Sequence, residues 1–268
     1  MANYKELSQQ VRRDVLTLIH KAKTSHIASN FSVIDIATIL YDTVDLSKDR
    51  IVWSKGWASA TIYYFLHKKG IITDEQLSTF PNEPFYGLAE TTVPGVEVNG
   101  GAMGHGLPVA CGLAYAKKLA GEPGIVYCIM SDGEMFEGTT WESALFAGHH
   151  KLDNLVVIID YNKWCAMGKT NEVNNLEPFE DKWDAFNWDC VRIDGHDHKQ
   201  IAEVLPLTGD MPYCIIADTI KGKGVSFLTD HLLYHYKDVS IEAYDAAIRE
   251  LNGEVLPEEL MQKLRNSV

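Results

Sequence analysis

Two short polar clusters in the middle of the chain carry residue types that suit a site for an anion and a divalent cation. Ser131-Asp132-Gly133-Glu134 follows the apolar run 126–130, and Tyr161-Asn162 follows the apolar run 155–159. Carboxylate and carboxamide oxygens are hard ligands that suit Mg²⁺ or Ca²⁺. A carboxylate about 4 Å from a phosphate is repelled by about 4 kcal/mol at an effective dielectric of about 20, so a cation between them is needed. These residues predict a diphosphate held through a metal by Asp132, Asn162 and the main-chain carbonyl of Trp164.

The elements around these clusters decide whether they meet. The run 126–130 indicates a buried strand, residues 140–148 indicate a helix with small residues on one face, and the run 155–159 indicates a second strand. A strand–helix–strand unit has a right-handed crossover, so the two strands are predicted to be parallel. Ligands of such units bind outside the carboxyl ends of the strands, and both clusters fall at those ends.

A structural interpretation of the same residues is open. Asp132 would cap the following helix and Asn162 would make an Asx turn, which are common uses of these residue types. Local chemistry alone does not separate the metal site from this alternative.

The order of these residues resembles the thiamine diphosphate signature of the transketolase family. Asp132-Gly133-Glu134 is followed by Glu137-Gly138 and later by Asn162, and the family signature likewise begins with Asp-Gly and ends with Asn at a similar separation. The resemblance implies thiamine diphosphate as the cofactor, with Asp132, Asn162 and the Trp164 carbonyl as ligands of Mg²⁺ or Ca²⁺. It also places Gly133 and Glu134 in the cofactor site. Ser131 departs from the pattern, because the family usually has Gly there.

A glycine-rich segment before a predicted helix carries the second match. Residues 100–106 read Gly-Gly-Ala-Met-Gly-His-Gly, and such glycines let main-chain N–H groups approach an anion at a helix N-terminus. The glycine order is reversed relative to a dinucleotide fingerprint, which disfavours a nicotinamide site. The segment is similar to the transketolase loop that contacts the diphosphate and the aminopyrimidine, which assigns Gly101, Met103, Gly104 and His105 to cofactor binding. A glycine-rich turn that serves helix packing is the alternative.

Three histidines are catalytic candidates through the same resemblance. His105 matches a histidine of two-subunit members of the family. His26, in a predicted polar loop (25–30) before a helix over 33–41, resembles the histidine of the family's Ser-Gly-His segment, although the glycine is missing here. His235 falls where the family has a Trp-His channel residue, in competition with His231. For His26, His231 and His235, a surface histidine is the alternative.

Two departures from the family pattern change the predicted substrate channel. The segment 49–56 is similar to a transketolase segment that is followed by a histidine, but Trp57 stands here, and an indole is not a proton acceptor. Residues 80–87 lack both the arginine that helps to hold an acceptor phosphate in the family and the Gly-His-Pro that follows it. An ordinary sugar-phosphate substrate is disfavoured, whereas the cofactor site is not affected.

Composition limits the class of protein. The chain has 268 residues and no repeat or low-complexity linker, which predicts one α/β domain over residues 1–268 with C-terminal helices at about 241–251 and 257–264. The resemblance implies the thiamine diphosphate-binding fold, a parallel sheet with helices on both faces. The formal charge of −13 argues against nucleic acid or an anionic membrane as a partner. No apolar signal segment or membrane span is recognisable, so a cytoplasmic location is expected.

The resemblance covers nearly the whole chain but only the N-terminal half of a full-length transketolase. The glutamate that activates the pyrimidine of the cofactor belongs to the other half of such an enzyme. A separate C-terminal subunit that supplies this glutamate is therefore implied, in an α2β2 heterotetramer. The chain alone is expected to be nearly inactive.

These observations predict the N-terminal subunit of a split transketolase, a transferase that moves a two-carbon ketol unit between sugars. The altered channel motivates the narrower hypothesis of a non-standard acceptor, such as a modified or nucleotide-linked keto sugar. One alternative is the α subunit of a decarboxylating 2-ketoacid enzyme, although the segments 49–56 and 94–108 favour a transketolase. The other is a non-catalytic scaffold subunit that kept the fold, and the retained Asp132 and Asn162 argue against it.

Overall fold

The structure, a computed structural model, describes residues 3–266 except for the side chains at positions 232 and 235. Its strands are β1 (Arg50–Trp53), β2 (Val126–Ser131), β3 (Leu155–Tyr161), β4 (Trp164–Cys165), β5 (Gly168–Lys169), β6 (Asp189–Asp194) and β7 (Tyr213–Asp218). Five of them form a parallel sheet in the order β1-β2-β3-β7-β6, and β4 and β5 form a separate antiparallel hairpin. The predicted parallel pairing of β2 with β3 is confirmed.

Helices cover both faces of the sheet, as predicted. They are α1 (Tyr4–Ala22), α2 (Ile27–Thr43), α3 (Ser59–Lys68), α4 (Asp74–Ser78), α5 (Gly106–Ala120), α6 (Gly138–His149), α7 (Thr170–Val173), α8 (Phe179–Ala185), α9 (His198–Val204), α10 (Ile241–Leu251) and α11 (Glu258–Asn266), with 3-10 helices at Asp132–Phe136 and Leu232–His235. Alternate side chains of a strand point to opposite faces. On β2, Ile129 packs in a core with α1, α2, α3 and α10, whereas Cys128 and Met130 pack with α5, α6 and α8. Because both faces are covered, β2 and β3 are buried along their whole length, which explains their uninterrupted apolar sequences.

The start of α2 differs from the prediction. The sequence predicts a polar loop over residues 25–30, but the helix begins at Ile27 and buries Ser29 and Asn30 in its first turn. Tertiary hydrogen bonds account for this. The Asn30 side-chain oxygen accepts from the N–H and the hydroxyl of Thr61 (3.0 and 2.9 Å), and the Ser29 carbonyl accepts from the Lys55 ammonium (2.7 Å). The polar groups of this turn are thus satisfied inside the protein rather than by water.

Strand β3 is longer than predicted, because Asp160 and Tyr161 belong to it. Asp160 is fully buried, forms an ion pair with Lys55 and accepts hydrogen bonds from the hydroxyls of Ser32 and Thr219. A charge can be buried in this way only when it is paired and hydrogen-bonded. The partners of Asp160 come from distant parts of the sequence, so the apolar run alone gave too short a strand.

The two predicted C-terminal helices are present as α10 and α11, and α10 packs against α1. Among the described residues, none of the helices combines the length and the apolar character that crossing a membrane requires.

A buried ion pair between α1 and α2 leads to a prediction about acid stability. Arg12 donates to both oxygens of Asp35 (3.0 and 2.6 Å). Burial by itself would raise the pKa of Asp35, but hydrogen bonds from His196 and His198 and the charge of Arg12 hold that pKa well below its usual range. A carboxyl group whose pKa is lower in the folded state stabilises the fold above its unfolded pKa of about 4, and this contribution is lost as the pH falls below that value.

Asp35→Asn is therefore expected to lower the free energy of unfolding by about 3–5 kcal/mol near neutral pH, because it leaves Arg12 buried without its counter-charge. The loss should shrink below a pH of about 4, where the unaltered protein also loses the contribution of Asp35. Urea unfolding at neutral and acidic pH measures both effects, with the exposed Asp45 replaced by asparagine as the control. A loss that does not change with pH would contradict this account.

Candidate functional site

The two polar clusters meet at the carboxyl edge of the sheet. β2 and β3 are paired with Ser131 opposite Asp160, so Asp132 and Asn162 follow neighbouring strands at the same edge. Asp132 begins a 3-10 helix and is fully buried, and Asn162 is almost fully buried. The carboxylate of Asp132 accepts hydrogen bonds from the main-chain N–H of Gly133 (2.9 Å) and from the Thr170 hydroxyl (3.4 Å). The second of these bonds connects the end of β2 to the start of α7.

The carboxylate of Asp132 lacks full charge compensation. Burial and the negative charge of Asp160 raise the pKa of Asp132 to about 7, and this is opposed by the amides of Gly133 and Lys163 and by the charge of Lys55. A carboxyl group in such a position is stabilised in its charged form by a cation placed beside it. The electrostatics of this position therefore suit a cation beside Asp132.

Asn162 makes the turn that the structural alternative predicts. Its side-chain oxygen accepts from the N–H of Trp164 (3.1 Å), which is the Asx turn of the structural alternative, and its amide faces Asp160 (3.4 Å). The turn places Asn162 and Trp164 in the wall of the same cavity. Within residues 3–266, no three His, Cys, Asp or Glu side chains converge on a metal site, and the predicted ligand set contains a single carboxylate.

The glycine-rich segment lies against this edge and leads into α5. Gly101, with φ of 109°, and Met103 line the cavity. Gly104 is buried with φ of 78°, and a side chain there would lie 2.7 Å from the Glu137 Cβ atom. His105 is exposed just before α5. Of the four predicted cofactor residues of this segment, Gly101 and Met103 line the cavity. Gly104 allows the backbone to approach Glu137 closely, and His105 is exposed.

Glu134 holds the glycine-rich segment in place. Its fully buried carboxylate accepts hydrogen bonds from the Ser54 hydroxyl and from the N–H groups of Gly104 (2.9 Å) and Ser131 (3.4 Å). Burial raises the pKa of Glu134 to about 7, and these hydrogen bonds oppose the rise. Glu134 does not line the cavity, so the structure places it behind the loop rather than in contact with the cavity's contents.

A cavity of about 330 Å³ opens between these elements. Its wall includes Ser131, whose buried hydroxyl oxygen faces the main-chain N–H of Glu134 in a capping box, while the hydroxyl proton has no acceptor among the described residues. The other lining residues are His26, Ser29, Lys55, Trp57, Leu88, Gly101, Met103, Gly133, Asn162, Trp164, Cys165 and Ala166. A buried hydroxyl proton without an acceptor in this wall suits a polar occupant that accepts a hydrogen bond. Trp57, which replaces the family histidine, forms part of the wall.

Two buried lysines belong to this edge and were not predicted as site residues. Lys55 follows β1 and lines the cavity, and Lys221 follows β7. Burial and the charge of Lys55 lower the pKa of Lys221 to about 8, against the opposing effect of Asp132 and Asp160. The sequence signal was the position of each lysine just beyond a predicted strand, where parallel strands bind ligands. Together they make the strand ends favourable for an anion.

The candidate histidines have different positions. His26 precedes α2 with φ of 70° and lines the cavity. Burial and the charges of Lys221 and Lys55 lower the pKa of His26 to about 4, so the imidazole is neutral near pH 7. The backbone of His235 lies in the 3-10 helix Leu232–His235, and its side chain is outside the described part of the chain. The competing His231 contacts the ring of Tyr234.

A wider cleft of about 1020 Å³ adjoins the cavity and shares His26 and Leu88 with it. Tyr86 and Gly87 of the segment that departs from the family line this cleft, together with Lys23. The cleft is the open approach to the cavity from the surface.

Comparison with known proteins agrees with this arrangement. Residues 4–236 match the family described as transketolase, thiamine diphosphate binding domain. The A subunit of the apulose-4-phosphate transketolase of Phocaeicola vulgatus is 35% identical over 262 residues, which cover 92% of this chain and 93% of that protein. The 6-deoxy-6-sulfo-D-fructose transketolase subunit SqwG of a Clostridium species is 35% identical over 260 residues, which cover 91% and 94%.

Among solved structures, the transketolase from Campylobacter jejuni superposes with a TM-score of 0.88 at 26% sequence identity. The match covers 100% of this chain and 46% of that one, so the chain spans about half the length of the solved transketolase.

Proposed function

The chain belongs to the transketolase family, whose thiamine diphosphate binding domain it matches, and from this we propose that it is the N-terminal subunit of a split transketolase. The observation that carries the proposal is the site at the strand ends, where Asp132 and Asn162 meet beside Lys55 and Lys221. Similarity to proteins that are named as single subunits of transketolases supports a separate partner subunit. The partner would supply the glutamate that activates the cofactor's pyrimidine, in an α2β2 assembly.

The residues present fit the cofactor. Asp132, Asn162 and the carbonyl of Trp164 would hold Mg²⁺ or Ca²⁺ on the diphosphate, because a buried carboxylate with incomplete compensation needs a cation. Lys55 and Lys221 would add positive charge to the same edge. When bound, thiamine diphosphate supplies the carbanion stabilisation that cleavage of a carbon–carbon bond requires.

The remaining residues of the cavity shape and orient its contents. Gly101 and Met103 would lie against the cofactor, with Gly104 and Gly133 keeping the backbone close. His26 is neutral near pH 7, and its Nδ1 already shares a hydrogen bond with the Ser25 hydroxyl (2.7 Å), so a substrate hydroxyl would meet the ring at Nε2. The exposed His105 and the candidate His235 would meet substrate from the channel side. Trp57 would close the cavity with an apolar wall in place of a proton acceptor.

Calorimetric titration of thiamine diphosphate with Mg²⁺, into the chain alone and then with its partner subunit, tests the proposal. The expected result is binding that needs both the metal and the partner. Absence of binding in both cases would favour a non-catalytic scaffold subunit instead. Turnover of 2-ketoacids with release of carbon dioxide, and of no sugar, would favour the decarboxylating alternative.

The altered channel leads to a prediction about substrates. The cleft is wide and carries the segment that lacks the family's phosphate-binding arginine, and relatives are named for apulose 4-phosphate and 6-deoxy-6-sulfofructose. With the partner present, a modified or nucleoside-diphosphate-linked keto sugar is therefore expected to be a faster acceptor than ribose 5-phosphate. Comparing kcat/KM for these acceptors with one donor checks this, and a preference for ribose 5-phosphate would contradict it.

The hydroxyl proton of Ser131, which has no described acceptor, leads to a prediction about cofactor affinity. Ser131→Ala is expected to weaken binding of thiamine diphosphate about tenfold, since a hydrogen bond to a charged group contributes about 1.5–3 kcal/mol. Calorimetry of the assembled enzyme measures the change, with the exposed Ser78 replaced by alanine as the control. Equal affinities of Ser131→Ala and the unaltered enzyme would show that the hydroxyl does not face the cofactor.

A further inference from the structure

A single buried carboxylate between α1, α2 and α9 organises three cationic or imidazole side chains. Asp35 accepts from Arg12 (3.0 and 2.6 Å), lies 2.7 Å from His196 Nδ1 and lies 3.0 Å from His198 Nε2. Asp35 and His196 have side chains that are 4% and 8% exposed. A buried group with this many partners has a fixed orientation, and none of these residues lies in the cofactor cavity.

Two of these side chains reach beyond Asp35 to the segment 219–224, which carries Lys221. His196 Nε2 accepts from the N–H of Ile220 (2.9 Å), and Arg12 Nε donates to the carbonyl of Lys223 (2.9 Å). Because a main-chain N–H can only donate, the Nε2 atom must be unprotonated and Nδ1 must carry the proton that Asp35 accepts. These contacts therefore hold Ile220, which precedes Lys221, and Lys223, which lies two residues after it.

These contacts add to two direct bonds at Lys221, whose carbonyl accepts from the Asp230 N–H (3.0 Å) and whose neighbour Gly222 donates its N–H to the Ala28 carbonyl (3.0 Å). Gly222 and Gly224 have φ of 78° and 103°, in the region that favours glycine. On its other side the segment meets the cofactor edge, where Thr219 donates to Asp160 and its N–H donates to the Tyr161 carbonyl (3.1 Å). A shift of Ile220 would thus move its chain neighbours Thr219 and Lys221, which lie at the strand ends.

We propose that Asp35, Arg12 and His196, which we call the Asp35 clamp, position Lys221 for the diphosphate of the cofactor. The proposal rests on the proposed function, since it assumes that an anion binds at the strand ends. According to this proposal, the three clamp residues do not touch the cofactor. They act through the Ile220 N–H and the Lys223 carbonyl, and His196 is a positioning residue rather than a catalytic one.

Two substitutions of His196 separate its two hydrogen bonds. His196→Asn keeps a donor near the Nδ1 position for Asp35 and loses the acceptor for Ile220. His196→Gln keeps an acceptor near the Nε2 position and loses the donor for Asp35. His198→Ala is the matched control, because His198 contacts Asp35 and Ser8 but makes no described hydrogen bond to the segment 219–224.

The dissociation constant of thiamine diphosphate with Mg²⁺ is measured by calorimetry on the assembled two-subunit protein, together with the melting temperature. His196→Asn is expected to weaken binding about tenfold, and His196→Gln and His198→Ala are expected to stay within about twofold, although all three lower the melting temperature.

Equal weakening by His196→Asn and His198→Ala, or a tenfold loss in His196→Gln, would overturn the proposal. If His196→Asn does not fold, Arg12→Lys takes its place, because it keeps a charge for Asp35 and loses the Nε donor to the Lys223 carbonyl, and the same tenfold weakening is expected. Absence of binding by the unaltered complex would instead refute the proposed function, before any variant is compared.

Discussion

Replacing Asp132 with asparagine is expected to abolish metal-dependent binding of thiamine diphosphate. The substitution keeps the shape of the side chain and removes the single carboxylate of the predicted ligand set. Without that charge, the metal loses its strongest protein ligand, and the affinity should fall by more than about 100-fold, or about 3 kcal/mol. Calorimetry of the assembled enzyme with thiamine diphosphate and Mg²⁺ measures the loss, and turnover should disappear with it.

The same substitution should not destabilise the protein without cofactor. Asp132 is fully buried, and its charge is only partly compensated by two amides and Lys55, so a neutral side chain removes a cost of folding. We therefore expect Asp132→Asn to unfold in urea at the same or a higher concentration than the unaltered chain. This separates a lost ligand from a damaged fold.

The exposed Asp153 on the same strand–helix–strand unit provides the control, because it pairs only with Lys118 at the surface. Asp153→Asn should leave cofactor binding unchanged. If Asp132→Asn bound the cofactor as tightly as the control, Asp132 would be a structural residue, as the helix-capping interpretation of the sequence held.

The sequence predicted the edge of the sheet where the site lies, because strand order and ligand position follow from local patterns. Two apolar runs with a helix between them fix parallel strands, and parallel strands place Asp132 and Asn162 side by side. The glycine loop was located in the same way. These predictions needed no contact between residues that are far apart in the chain.

What the sequence did not provide depends on such distant contacts. Lys55 and Asp160 are 105 residues apart and meet only in the folded sheet, so the ion pair that allows a charge inside β3 could not be read from local composition. The polar turn 27–30 was predicted as a loop because Ser29 and Asn30 find their partners elsewhere in the fold. The hydrogen bond from the Gly104 N–H to Glu134 likewise joins residues that are 30 positions apart, so the sequence did not indicate that Glu134 holds the glycine-rich segment.

The proposed role of the Asp35 clamp also depends on contacts between residues that are far apart in the chain. Nothing in the local sequence singles out His196, because its contact with Ile220 is tertiary. A residue that acts through the backbone of another segment leaves no local pattern of its own. Such positioning residues are found from the hydrogen bonds of the fold and not from motif spacing.

Replacing Lys55 with methionine is expected to weaken both the stability of the fold and the binding of the cofactor. Lys55 is fully buried, pairs with Asp160 and donates to the Ser29 carbonyl (2.7 Å) and the Ser32 hydroxyl (3.1 Å). Burial by itself would raise the pKa of Asp160, but Lys55 and the hydroxyl groups around it lower that pKa. Removing the lysine leaves the carboxylate buried and unpaired, which costs about 3–5 kcal/mol of the free energy of unfolding. Urea unfolding near neutral pH measures this loss.

A double substitution separates the structural role of Lys55 from its role in the cofactor site. Lys55→Met combined with Asp160→Asn removes both charges, and a neutral buried pair is often as stable as the ion pair that it replaces. The double variant should therefore recover most of the lost stability. It should not recover tight binding of thiamine diphosphate, because the positive charge at the cavity wall is still missing.

A double variant as unstable as Lys55→Met would mean that the lysine acts through packing and its hydrogen bonds to α2. One that binds the cofactor normally would mean that Lys221 alone supplies the charge that the diphosphate needs.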